Sequence, residues 1–281
     1  MVVVGATSLV GSYLIPRLAA AGRTVEAVSR SRRDSTPGAR WHAVDVVAAP
    51  EAVPAADAAV HLAPLWLAPP LVGALAARGA RRLIAFGSTS RFTKEASADP
   101  REREVARRLA EAEQRLAAEC ERHGVAWTVV RPTLIYGGGR DRSLSAIAAV
   151  ARRVRVVPVA GQGRGLRQPV HADDLAALCV TALDRPASAG RAYDVGGGTG
   201  LSYRAMVGEV CRSAGGARVI AVPAGPLRLL FRATALLPGL GWASPAMVDR
   251  MERDLVVDDA DARRDLDWSP RAFAYPDGAP A

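Results

Sequence analysis

The seven residues Gly5-Ala6-Thr7-Ser8-Leu9-Val10-Gly11 have the types and spacing to hold phosphate. Gly5 permits a sharp turn where a Cβ would clash, and the N–H groups that follow face outward at the positive end of a helix dipole. Such a turn binds a diphosphate at the start of a dinucleotide-binding βαβ unit. The usual fingerprint has a further glycine in the middle, and Ser8 stands there instead. Further along, Ser29 is followed by Arg30, Arg32 and Arg33, at the point where an NAD-binding unit carries an acidic residue for the ribose hydroxyls. No carboxylate stands there to repel a 2′-phosphate, three guanidiniums are placed to accept one, and Asp34 lies farther into the loop. The pattern points to NADP(H) rather than NAD(H).

The elements that must position these groups follow from apolar spacing. Val2-Val3-Val4 forms a short buried strand, and Leu9, Val10, Leu14, Ile15 and Leu18 recur at helical intervals until Gly22 closes the helix. Thr24 to Ser29 reads as the second strand, Trp41 to Val44 as the third with Asp45 after it, and Ala58 to Leu62 as the fourth. A helix over Leu71 to Ala77 and a strand over Arg82 to Phe86 come next. Apolar strands alternating with helices predict an α/β protein with a Rossmann-type doubly wound parallel sheet, buried on both faces.

Composition narrows the setting. The chain has 281 residues, 49% of them apolar, and a net charge of +9. Lys94 is the only lysine among 37 basic residues, and the arginines are scattered among Asp and Glu. That pattern reads as a preference for Arg over Lys, not as a nucleic-acid surface. Cys120, Cys179 and Cys211 are odd in number, widely spaced and without metal-type pairing, as expected of reduced thiols in a cytoplasmic protein with no metal site. A strand starting at Val2 leaves no room for a signal peptide. The apolar run from Pro226 to Leu240 is broken by Arg228, Arg232 and Pro238, so no transmembrane segment is expected.

Several motifs now fall in order. Gly5 to Gly11, Asp45, His61-Leu62-Ala63-Pro64 and Gly87-Ser88-Thr89-Ser90 are followed by Arg131-Pro132-Thr133-Leu134-Ile135-Tyr136-Gly137 and Arg167-Gln168-Pro169-Val170-His171-Ala172-Asp173-Asp174-Leu175. The series resembles the extended or atypical short-chain dehydrogenase/reductases, the NAD-dependent epimerase/dehydratase group. The likeness runs colinearly from Met1 to about Leu183 and more faintly to Asp265-Leu266-Asp267-Trp268-Ser269-Pro270. It implies a cofactor site made of Gly5, Thr7, Ser8, Leu9, Val10 and Gly11 at the diphosphate, and Arg30, Asp45 and Val46 at the adenosine. Leu62, Ala63, Pro64 and Pro132 would lie toward the nicotinamide.

The resemblance also implies a Ser or Thr after the fifth strand, and a Tyr followed four positions later by Lys on one helix face. The lysine cation lowers the tyrosine pKa so that the phenol can move protons near neutral pH. Ser88 fits the first role, with Thr89 as the alternate and a substrate contact. The tyrosine and lysine positions fall on Val105 and Leu109, on a helix expected from about Pro100 to Arg122. The residue four before Lys94 is Ser90, so the only lysine does not restore the pair. Tyr136, at the carboxyl end of the sixth strand, is the remaining candidate proton donor, with a packing role as its alternative.

The expected domains are a dinucleotide-binding core over 1–195, with part of the substrate lobe inserted near 140–166, and a C-terminal lobe over 196–281. Helices are expected from Arg142 to Ala151 and from Leu175 to Leu183, the latter capped by Asp173 or Asp174. A further helix from Ser202 to about Ser213 and strands around Arg155–Val159 and Val219–Val222 complete the lobe. Arg164 and Arg167 are the candidate substrate contacts, since nucleotide-sugar relatives place an arginine on the substrate diphosphate in this region. His171 reads as structural. The apolar stretch Leu227, Leu230, Phe231, Ala235 and Leu236 is read first as core cover, with peripheral membrane contact and a homodimer left open. Two functions follow: an NADP(H)-dependent oxidoreductase or epimerase acting on a nucleotide-sugar or similar small polar substrate, or a regulatory or assembly protein of the NmrA-like kind that binds the dinucleotide without turning it over.

Overall fold

The computed structural model describes residues 1–141, 143–234 and 245–275. The chain begins β1 (Val2–Val4), α1 (Leu9–Ala20), β2 (Val25–Ser29), β3 (Ala39–Ala43), β4 (Ala58–His61), α2 (Val72–Ala77), β5 (Arg82–Phe86), α3 (Ser90–Thr93), α4 (Pro100–Arg122) and β6 (Ala126–Pro132). It continues through β7 (Ile135–Tyr136), α5 (Leu144–Ala151), β8 (Val156–Ala160), β9 (Leu166–Arg167), β10 (Val170–His171), α6 (Ala172–Leu183) and β11 (Arg191–Val195). It ends with β12 (Leu201–Ser202), α7 (Tyr203–Ser213), β13 (Arg218–Val222), α8 (Ala224–Thr234), α9 (Pro245–Arg250) and α10 (Ala260–Leu266).

Seven strands pair in the order β11-β6-β5-β4-β1-β2-β3, and every pairing is parallel. This is the doubly wound sheet expected from the alternating apolar strands. The side-chain period of two divides each strand between two cores. Val3, Val60, Ile84 and Val130 meet α1 and α6 on one face. Val2, Ala59, Leu83 and Val129 meet α2 and α4 on the other. On α4 the buried positions Ala106, Leu109, Glu113, Leu116 and Cys120 repeat every three or four residues, which aims one stripe of a highly charged helix at the sheet.

A third core, built from α5, β8, α7, α8 and α9, forms the second lobe around Leu144, Val159, Val207 and Val248. Each core encloses one of the three cysteines: Cys179 in the first, Cys120 in the second, Cys211 in the third. Ala262, Leu266 and Trp268 return to the first core, and the Trp268 indole donates to the Gly196 carbonyl at 3.1 Å. The last described segment of the lobe expected over 196–281 thus packs on the first core of the sheet. Among the described residues, no helix is long and apolar enough to cross a membrane.

Two local expectations change. α6 begins at Ala172, earlier than Leu175, and its cap is His171, whose Nδ1 accepts the Asp173 N–H at 3.1 Å. Asp173 and Asp174 lie inside the first turn, where they suit the helix dipole and pair with Arg17 and Arg271. Secondly, α5 begins at Leu144; Arg142, Ala235 and Leu236 lie outside the described residues.

Candidate functional site

The carboxyl ends of the parallel strands open into three cavities that run into one another. The first, about 510 Å³, lies against the ends of β1 and β2 and is lined by Gly5, Thr7, Arg30, Asp45 and Val46. The second, about 410 Å³, is lined by Leu9, Val10, Phe86, Val105 and Leu109. Ser8, Leu62, Ala63 and Pro64 line both, so the two are continuous. The third, about 290 Å³, lies under the second lobe and joins the second at Ser88 and Ser90. A ligand-sized trough at the carboxyl edge of a doubly wound sheet is where such folds bind nucleotides.

The loop between β1 and α1 has the geometry a diphosphate needs. Gly5 has φ +75°, and a Cβ there would lie 2.7 Å from the Ala63 backbone nitrogen. A Cβ on Gly11 would lie 2.4 Å from the Ala6 carbonyl oxygen. Ser8 is the N-cap of α1, its hydroxyl accepting the Gly11 N–H at 3.1 Å. Ser8 in place of a glycine thus has a local reason: it satisfies one first-turn N–H and leaves the others without an acceptor inside the helix. Arg140, on the loop that follows β7, donates to the Thr7 carbonyl at 3.3 Å.

Of the three arginines after β2, only Arg30 lines the first cavity. Arg33 lies over the Trp41 ring, 5.4 Å from its centroid, and Arg32 is exposed. The Asp45 carboxylate accepts the Val47 N–H at 3.0 Å, which fixes the rim of the same cavity. The second cavity is apolar. Val105 and Leu109 face it from α4, and none of the side chains lining it is titratable.

The third cavity has cationic side chains, Lys94, Arg167 and Arg250, set among apolar ones such as Leu144 and Met206. Ser88 lines it and the second cavity, its Oγ accepting the Ser90 N–H at 3.1 Å while keeping its own proton to donate. Thr89 also lines it, but its hydroxyl donates to the Pro132 carbonyl at 3.2 Å; Pro132 itself is buried and lines none of the three cavities. Arg167 is buried in the cavity wall, its guanidinium donating to the carbonyls of Leu166 (2.7 Å), Arg253 (2.8 Å) and Arg250 (2.6 Å). Burial pushes its pKa down to about 10, so it stays charged at neutral pH. Arg164 is exposed and lies outside the lining of this cavity.

Tyr136 does not reach the trough. It is 1% exposed, packed edge-on against His171 and Phe273 with ring centroids 5.1 and 5.0 Å away, and burial raises its pKa. Its candidacy as a proton donor is corrected to the packing alternative. Phe273 lies 137 residues away in the chain, so nothing local to Tyr136 announced the cover. The sequence reading also missed Lys94, Arg250 and Tyr203, all of which line the third cavity. For Lys94 there was a signal, its being the only lysine; Arg250 and Tyr203 come from segments without a motif.

Glu113 anchors this end of the site from below. It is 6% exposed, accepts from Arg91 on α3, and takes Arg131 Nη2 on β6 at 2.6 Å. Arg131 continues to Asp194 on β11 at 3.4 Å.

Residues 67–196 match the NAD dependent epimerase/dehydratase family. A UDP-glucose 4-epimerase of Vibrio cholerae is 26% identical over 160 residues, 57% of this chain and 47% of that protein. An uncharacterised protein of Sinorhizobium fredii is 29% identical over 152 residues, 54% of this chain and 38% of that protein. The matched stretch thus spans less than half the length of either relative. Among solved structures, MoeE5 in complex with UDP-glucose and NAD superposes with a TM-score of 0.73 at 19% identity, covering 97% of this chain and 93% of that one. A UDP-N-acetylglucosamine 4-epimerase from Bacillus cereus gives 0.72 at 16% identity, covering 97% and 91%. The resemblance read from the motifs holds, and the fold is the one these structures share.

Proposed function

We propose that this chain, whose residues 67–196 carry the NAD dependent epimerase/dehydratase pattern, binds a nicotinamide dinucleotide in the first two cavities and a small anionic substrate, of the nucleotide-sugar class, in the third. One observation carries the reading. The trough runs without a break from the Gly5–Gly11 loop to a pocket walled by Arg167, Arg250 and Lys94. The first-turn N–H groups of α1 would hold the diphosphate, Arg30 and Asp45 the adenosine, and Leu62, Ala63 and Pro64 the stretch between the two halves. When bound, the dinucleotide supplies hydride transfer. Ser88 donates a hydrogen bond to the reacting oxygen where the second and third cavities meet, and Arg167 offers its charge to the substrate's anionic group. The reaction class is an epimerase, dehydratase or reductase.

Arg30, alone of its cluster in the cavity wall, favours NADP(H). Titration of the protein with NADPH and NADH, followed by nicotinamide fluorescence, is expected to show NADPH binding about tenfold tighter, a difference of about 1.4 kcal/mol. Arg30→Ala should remove that preference by weakening NADPH alone. Tighter binding of NADH by the unaltered protein sinks the assignment to Arg30, and binding of neither sinks the dinucleotide reading altogether.

A second reading rests on Val105 and Leu109, which put hydrocarbon where the family's acid–base pair stands. A protein of that kind holds the dinucleotide as a signal and does not turn it over.

A further inference from the structure

We infer that Ser90 and Lys94 are the proton-transfer pair of this site, taking over the task that Val105 and Leu109 cannot perform. The inference rests on the dinucleotide reading above and names the residues that would make it catalytic.

The first ground is elimination within the trough. No side chain lining the second cavity titrates. In the third, the titratable lining is Lys94 with Arg167, Arg250 and Tyr203. The Arg167 guanidinium is committed to three backbone carbonyls and Arg250 to Glu102, whereas the Lys94 ammonium has the Glu102 carboxylate at 3.7 Å, beyond hydrogen-bond distance. The Tyr203 phenol is held toward its protonated form by burial, and its ring packs under the Arg167 guanidinium at 5.1 Å. In a chain that otherwise uses arginine throughout, the single lysine lies in this wall.

The second ground is spacing. Ser90 opens the one-turn helix α3 and Lys94 caps it, the Lys94 N–H bonding the Ser90 carbonyl at 3.2 Å. That closed turn puts the two side chains on the same face, the i, i+4 relation the family uses for Tyr and Lys. Both line the third cavity, and Ser90 lines the second as well, so the hydroxyl stands at the junction with the amine behind it on the substrate side.

The third ground is support. Glu102 on α4 lies 3.7 Å from the Lys94 ammonium. Glu102 is itself fixed by the Ser97 hydroxyl at 2.7 Å and by Arg250 on α9. Arg91, on the same turn as Ser90, is clamped to Glu113. The turn is therefore held from both ends.

In the reducing direction a substrate carbonyl carbon gains a hydride from the reduced nicotinamide while the carbonyl π pair forms an O–H bond with a proton from Ser90 Oγ. Lys94 returns a proton to Ser90, and water recharges the amine. The carbonyl is reduced by two electrons and the dinucleotide is oxidised by two; oxidation of an alcohol runs the sequence in reverse with Lys94 as base.

The test uses the full chain with NADPH, UDP-glucose and UDP-N-acetylglucosamine as probes. Because one lysine is present, acetic anhydride labelling read by mass spectrometry reports on Lys94 alone among side-chain amines. Expected is labelling in the free protein that falls at least tenfold with dinucleotide and nucleotide sugar together. Lys94→Arg keeps the charge; it should leave dinucleotide affinity within twofold and KM within threefold while lowering kcat at least hundredfold, and Ser90→Ala should do the same. Labelling unaffected by the ligands, a Lys94→Arg enzyme within threefold of the unaltered kcat, or an unaltered protein that binds dinucleotide but turns over neither sugar overturns this inference and leaves the binding reading intact. Failure to bind NADPH or NADH overturns the binding reading, and the pair with it.

Discussion

Glu113→Ala is expected to lower stability by about 3–5 kcal/mol, the usual cost of removing one partner from a buried ion pair. At about 2–4 °C per kcal/mol for a chain of this size, the melting temperature should fall by roughly 6–20 °C. The carboxylate is 6% exposed, and its loss takes the carboxylate partner from Arg91 and leaves Arg131 with the longer contact to Asp194, the two arginine side chains being 23% and 16% exposed. Arg107→Ala on the same helix is the control. It also removes two ion-pair contacts, to Glu104 and Glu111, but there the partners stand in water, so the loss should be small beside that of Glu113→Ala. Circular dichroism melts of both variants give the comparison directly. If the two variants melt together, the buried cluster is not what holds α3 and α4 to the sheet. The effect should also extend to the proposed Ser90–Lys94 pair: Arg91 holds the turn that carries Ser90, so any turnover found with the nucleotide-sugar probes should fall in a Glu113 variant that still folds.

The second large effect is expected at the phosphate loop. Gly5→Ala places a Cβ 2.7 Å from the Ala63 nitrogen and 3.0 Å from the Leu62 carbonyl carbon, both backbone atoms that cannot swing away. The loop must therefore move, and dinucleotide affinity should fall more than hundredfold, on the order of 3 kcal/mol. Gly22→Ala separates the contact from the conformation. Gly22 has nearly the same angle, φ +72°, and nothing within 4 Å of its would-be Cβ. It should show only the left-handed backbone cost of about 1–2 kcal/mol in urea unfolding, with binding unchanged. Fluorescence titration with NADPH alongside urea melts distinguishes the two; a Gly5→Ala protein that binds normally places the diphosphate elsewhere.

Much of this architecture was legible because the signals are local. The β1–α1 loop, the parallel strands and the stripe on α4 each follow from spacing within a dozen or so residues, and the hydrocarbon at 105 and 109 follows from helical register. What stayed hidden depends on partners far apart in the chain. Tyr136 looked available until Phe273 and His171 closed over it. His171 looked like a bystander to an aspartate cap, yet its ring nitrogen takes the capping bond, and the helix starts sooner than apolar spacing suggests. Arg164 and Arg167 were indistinguishable as sequence. Only the carbonyls of Arg250 and Arg253, 83 and 86 residues away, draw Arg167 inward. Lys94 has a serine, not a tyrosine, four residues before it, and that spacing carries meaning only because Ser90 and Lys94 line one cavity.

The three cysteines have a consequence for how this molecule comes apart. Burial holds all three thiols away from their reactive thiolate form, pushing Cys120 up to about 12 and raising Cys179 and Cys211 as well. A thiol reagent therefore reaches each one when the packing around it breathes open. Since each sits in a different core, their alkylation half-lives are three separate clocks built into the natural chain. Equal rates describe a single cooperative unit; a faster Cys211 describes a second lobe that loosens while the two cores of the sheet stay shut.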